Sequence, residues 1–178
     1  MTVHNFKDSL ELSHAHEGSP WWKSIYDMAF PGHLSAVSVR QDGWAQRAGI
    51  DRVITLKSGK TVTVDEKVRS KSYGDIALEQ WSDRDRKKPG WMQKELACDF
   101  IAYAFVPDKK CYLLPFISLR RAWLSNGREW HKKAYENAGG FRFVDAQNTD
   151  YVTRSIAVPI PELLGAISQA HLISWGEA

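Results

Sequence analysis

Between Ile50 and Val68, polar and apolar residues alternate with a period of two on both sides of Lys57-Ser58-Gly59. That period sends successive side chains to opposite faces of a strand. A three-residue loop with glycine last suits a type I turn closed by a glycine bulge. The spacing predicts strands over about Ile50–Leu56 and Thr61–Val68, with Leu56 facing Lys60 and Asp51 facing Asp65. One face then carries Ile50, Ile54, Leu56, Val62, Val64 and Val68, an apolar set for the core. The other carries Asp51, Val53, Thr55, Thr61, Thr63, Asp65 and Lys67. A strand of good β-formers that runs into Asp65-Glu66-Lys67 ends either in a solvated charge cluster or at a site that holds a cation.

Around this hairpin the punctuation predicts an α/β chain of one domain, residues 1–178, with a central mixed sheet flanked by helices. Ser19-Pro20 opens a helix and Pro31-Gly32 stops it. Its apolar face is Trp21, Trp22, Ile25 and Met28 or Ala29. A short strand is expected at Ala36–Val39 and a third at Asp75–Gln80, followed by an exposed connection, WSDRDRKKPG. Trp91–Ala97 reads as a short helix, and Asp99–Val106 with Cys111–Phe116 as a second hairpin. A helix over Ser118–Tyr135, interrupted near Asn126-Gly127, precedes a strand at Tyr151–Val158 and a helix at Pro161–Ala170.

Apolar residues make up 43% of the 178, enough for a globular core. No run approaches the roughly 18 apolar residues of a membrane span, and the polar start does not read as a signal peptide. With two cysteines, Cys98 and Cys111, read as buried free thiols, the chain is expected in the cytoplasm, away from membranes. Ser58-Gly59-Lys60-Thr61 imitates a phosphate-binding loop but has Ile54 where a glycine is needed and a strand where a helix should follow. His14 and His16 have the spacing of a metal pair, for which a solvated pair is the commoner fate.

Two carboxylates facing each other repel unless a cation lies between them. Magnesium takes one or two carboxylates plus water and phosphate oxygens. Lys67, two residues beyond Asp65, shares its face and could orient a water or stabilise charge on a phosphate. Such residues are the minimum equipment for metal-assisted phosphodiester hydrolysis.

Gly49-Ile50-Asp51, a hairpin, and Val64-Asp65-Glu66-Lys67 resemble the PD-(D/E)XK nuclease superfamily, over about residues 46–116, and in particular small phage and bacterial members. The resemblance implies a restriction-endonuclease-like fold and a Mg²⁺ or Mn²⁺ cofactor. It implies catalytic roles for Asp51, Asp65 and Lys67, with metal held by Asp51, Asp65 and the Glu66 main-chain carbonyl. Ile50 replaces the usual proline before the first aspartate, Glu79 is a further candidate ligand, and Asp27 matches a region where some members keep an extra acid.

The net charge of +3 is uneven. Residues 46–133 hold 19 Lys and Arg against 11 Asp and Glu, a balance of +8, and the flanks balance at −5. A basic middle suits a polyanion, since phosphate contacts supply most non-specific affinity. Candidate nucleic-acid contacts are Arg69, Lys71, Arg84, Arg86, Lys87 and Lys88, with Trp81 and Trp91 as candidates to stack on unpaired bases. Three functions follow: a nuclease acting on DNA in preference to RNA; a nuclease-like module that grips nucleic acid or a protein without cutting, such as a phage accessory factor; and a structural charge network. A homodimer is compatible with each.

Overall fold

In the computed structural model of the chain, residues 4, 5 and 18–170 are described. Among them are four helices and two sheets, a mixed α/β architecture. His4–Asn5 form a two-residue strand, β1. The remaining described residues make two compact units, one of residues 18–72 and 95–115, the other of 73–94 and 116–170. The single central sheet expected from the sequence is thus two sheets. No helix among the described residues is long and apolar enough to cross a membrane.

The first unit contains α1 (Pro20–Ala29), β2 (Ser35–Ser38), α2 (Gly43–Arg47), β3 (Arg52–Thr55), β4 (Thr61–Arg69), β7 (Phe100–Phe105) and β8 (Lys110–Pro115). Its strands lie in the order β2-β3-β4-β7-β8, antiparallel except for the parallel pair β4 and β7. The β3–β4 hairpin has the expected register, Arg52 opposite Val64 and Thr55 opposite Thr61. Gly59 closes it at φ +81°, a conformation that glycine adopts without a Cβ penalty. The apolar face packs as expected: Ile54, Val64 and Val68 join Trp22 and Tyr26 of α1 and Ala102 and Ala104 of β7. Ile54 and Val64 are fully buried, and each contributes about 1.5–3 kcal/mol by leaving water. The helix face is shifted from expectation, because Tyr26 is buried while Met28 is exposed.

The second unit contains β5 (Asp75–Asp83), β6 (Lys88–Pro89), α3 (Phe116–Glu136), β9 (Arg142–Gln147), β10 (Val152–Pro159) and α4 (Ile160–Ala170). Within it the strands run β9-β10-β5-β6, with antiparallel pairing throughout. The strand expected at Asp75–Gln80 is longer, and it pairs with β10 rather than joining the first hairpin. Asp75, Ile76, Ala77 and Leu78 are buried in succession, so the strand needs cover on both faces. The connection expected after it begins as a continuation of β5 to Asp83, and its remainder is exposed over residues 85–89, turning into β6. Residues 91–93 form a turn, residue 94 a bend and 95–97 irregular chain, in place of the expected helix. Gly90 explains part of this: a Cβ there would stand 2.4 Å from the Glu79 carbonyl oxygen, so the chain is pinned against β5. Helix α3 continues through Asn126-Gly127, and Asn126 donates its side-chain amide to Ala122 O at 3.0 Å.

Candidate active site

Asp51 is delivered to the start of β3 by a capped turn. Asp42 accepts from the N–H groups of Trp44 and Ala45 and so starts α2. Gly49 then reverses the chain at φ +70°, where a Cβ would meet Leu96 Cδ2 at 2.8 Å. Asp51 N–H donates to Val64 O, and the Asp51 carboxylate Oδ2 accepts from Glu66 N–H at 2.8 Å. This ties the residue across the hairpin beside Asp65.

Asp65 lies in the middle of β4 and is buried. Burial raises its carboxyl from the ordinary 3.8 to about 6; the charge and hydrogen bonding of Asp51 act in the same direction, and Lys67 opposes them. Lys67 Nζ reaches Asp65 Oδ1 at 2.5 Å and Oδ2 at 2.8 Å. Side chains i and i+2 share a strand face, so this contact follows from the strand itself. The expected trio is therefore brought together. Two carboxylates with one partly exposed ammonium fit a small hard cation that completes its shell with water, more than a dedicated all-protein cage. Among the described residues, no group of three or more His, Cys, Asp or Glu could hold a metal ion.

Glu66 has a larger role than its main-chain carbonyl. Its side chain points to the opposite face, under α1, where it is completely buried. Tyr26 Oη donates to Oε1 at 2.7 Å, Arg52 Nε to the same oxygen at 2.9 Å, and Arg40 to Oε2 at 3.1 Å. A carboxylate removed from water needs such partners. Burial, and then the Glu66 charge, push the Tyr26 hydroxyl far above its usual range. Burial, the largest single influence, acts to lower Arg52, but the hydrogen bond and charge of Glu66 together with Tyr26 outweigh it and raise the guanidinium. Arg40 also stands 3.2 Å from Asp51 Oδ2, so one guanidinium links the carboxylates of the two faces. Tyr26, Arg40 and Arg52 are absent from the residues singled out by sequence. The register held a signal for Arg52, since pairing with Val64 puts it on the core face diagonal to Glu66.

Other candidates fall elsewhere. Asp27 is on the exposed face of α1, paired with Lys23 at 2.6 Å. Arg69 donates to Tyr103 Oη at 3.3 Å, and Lys71 is exposed. Glu79 belongs to the second unit, where its carboxylate accepts from Trp91 N–H at 3.2 Å. In the same unit Arg84 pairs with Asp85 and Asp145, and Arg86 with Asp83; Lys88 stands 3.9 Å from Asp83, while Lys87 is exposed. Much of that basic cluster is thus matched by acids. Trp91 is buried, so it packs rather than offering a face to a base. Cys98 and Cys111 are free thiols, and burial is the main cause that pushes each up to about 12. His14 and His16 lie outside the described residues.

No family model, no curated protein and no solved structure matches the chain.

Proposed function

We propose that the chain is a divalent-metal-dependent phosphodiesterase of the PD-(D/E)XK kind, with a restriction-endonuclease-like first unit, acting on nucleic acid in the cytoplasm and on DNA in preference to RNA. One observation carries this reading. Asp51 and Asp65 come from neighbouring strands and lie close enough for charge and hydrogen bonding to raise Asp65, with Lys67 Nζ 2.5 Å away. A buried, proton-hungry carboxylate beside a second carboxylate is an unfavourable arrangement that a divalent ion relieves.

Asp51, Asp65 and the Glu66 carbonyl would hold Mg²⁺ or Mn²⁺, which supplies Lewis acidity and charge neutralisation when bound. Once Asp65 is otherwise neutralised, the Lys67 ammonium can turn from Asp65 to an incoming phosphate oxygen. The buried Tyr26–Glu66–Arg52 network holds β4 against α1, fixing the strand that carries both Asp65 and Lys67.

A second reading, a nuclease-like module that binds without cutting, draws support from Arg40, whose guanidinium already gives Asp51 a permanent cationic partner. Calorimetric Mg²⁺ and Mn²⁺ titrations beside a plasmid-nicking assay separate the readings. Metal binding with cleavage, both lost in Asp51→Asn and Asp65→Asn, is the expected result. Metal binding without cleavage of DNA or RNA favours the module, and no metal binding leaves only a structural charge network.

A further inference from the structure

Helix α3 carries two stripes rather than one. Leu119, Ala122, Trp130 and Ala134 are buried and hold it to the second unit. A surface helix with one such stripe is expected to be polar over the rest of its circumference. Yet Ile117, Leu124 and Tyr135 are 74%, 72% and 77% exposed, too bare to serve this core. They belong to a pattern. Ile117, Arg121, Leu124, Arg128, His131 and Tyr135 follow one another at alternating steps of four and three residues, and every one is exposed. Those steps trace the a/d seam of a heptad repeat, the row that one helix presents to another. We propose that this seam docks an acidic amphipathic helix of another protein, with carboxylates opposite Arg121 and Arg128 and apolar residues opposite Ile117, Leu124 and Tyr135.

Length and charge select the partner. At 1.5 Å per residue the seam runs about 27 Å, which matches a partner helix of roughly five turns. Arg121 and Arg128 take the a positions before Tyr135, Lys132 flanks them, and no Asp or Glu stands on the seam. A guanidinium buried in a helix seam is costly unless a carboxylate faces it, and charged seam positions set register and partner. A second copy of the chain would bury the arginines of both copies together with no carboxylate between them. A nucleic-acid strand would leave Ile117 and Leu124 unused, since phosphates call for cations and bases for flat faces. A helix that lies on a membrane separates its apolar and basic faces, whereas here the two kinds of residue alternate along one row. An open depression borders the seam at Leu124, Arg128 and His131, which gives the partner's side chains room beside the crest.

The seam stands apart from the metal reading, and its test is run in EDTA without turnover. The probe is a fluorescein-labelled synthetic peptide of three heptads with leucine at each d position and glutamate at each a position. Its twin carries lysine in place of glutamate. Fluorescence anisotropy follows titration of each with the full chain. The glutamate peptide should bind, and the lysine twin should bind at least about tenfold more weakly. Leu124→Gln should weaken the glutamate peptide about tenfold or more, the scale for losing one buried leucine. Combining Arg121→Glu with Arg128→Glu should reverse the preference, so that the lysine twin binds better, a readout that damage to the fold would not give. Tm should stay near wild type in each variant, because the altered side chains are exposed.

Absence of glutamate-peptide binding at millimolar concentration would overturn the proposal. So would equal binding of the two peptides, or an unchanged preference in the double variant. A concentration-dependent dimer in sedimentation that Leu124→Gln dissolves would overturn it in favour of a second copy. Binding of single-stranded DNA or of phosphatidylserine vesicles that Leu124→Gln weakens more than it weakens the glutamate peptide would overturn it in favour of that ligand.

Discussion

Replacing Asp65 by asparagine should make the protein more stable at neutral pH, because the carboxylate is held where it resists ionisation. Its carboxyl is raised from 3.8 to about 6, chiefly by burial, with Lys67 already counted against the increase. That difference corresponds to about 3 kcal/mol at most, and relaxation around the site reduces it to the order of 2 kcal/mol. Below pH 3.8 the group is protonated in both folded and unfolded chains and contributes nothing. Between 3.8 and 6 the folded chain keeps a proton that the unfolded chain releases, so stability falls as pH rises. Above 6 the full cost persists. Asparagine keeps the shape without the charge, and Lys67, about one-third exposed, can turn to water. Urea unfolding of both proteins in EDTA from pH 3.5 to 8 measures the difference. The variant should be more stable by about 2 kcal/mol at pH 7.5, a rise of roughly 4–8 °C in Tm, converging with wild type near pH 3.5. A variant less stable than wild type at pH 7.5, or a gain that does not shrink on acidification, would refute the reasoning.

Tyr26→Phe removes the hydroxyl donor to buried Glu66 and should cost about 1.5–3 kcal/mol in urea unfolding, with no new cavity. Lys67→Met keeps both carboxylates, so calorimetry should show Mn²⁺ affinity unchanged or higher, while nicking falls on the order of 10²-fold or more. Lys71→Gln should reduce the salt dependence of DNA binding by about one unit of log–log slope, alike on all sequences, if Lys71 contacts a phosphate.

The local hairpin was legible because two constraints coincide there. A period-two pattern assigns faces and a glycine-ended loop assigns register, so the Asp51–Asp65 juxtaposition follows from counting. Partition of the strands between sheets was not legible. The Asp75–Leu78 stretch is an apolar run after a single acid, and local pattern does not say which sheet such a run joins. β9 was missed for a related reason: Arg142–Gln147 is half-buried along nearly its whole length, so charged and aromatic residues mix without clear alternation. At the site, charges were assigned to one face and apolar residues to the other, whereas Glu66 and Arg52 are charged residues on the core face. They are tolerated there because each neutralises the other and Tyr26 supplies a further donor, a tertiary fact carried by a helix 40 residues away. Gly127 misled in the opposite direction, as a helix breaker by propensity that surrounding packing overrides.

Diffraction from crystals soaked in Mn²⁺, recorded for anomalous scattering, tests the metal site most directly. The expected result is a peak within about 2.0–2.3 Å of an oxygen of both Asp51 and Asp65, with Lys67 Nζ displaced from Asp65. An undisturbed Lys67–Asp65 pair with no peak at millimolar Mn²⁺ would contradict a metal-dependent function for these residues.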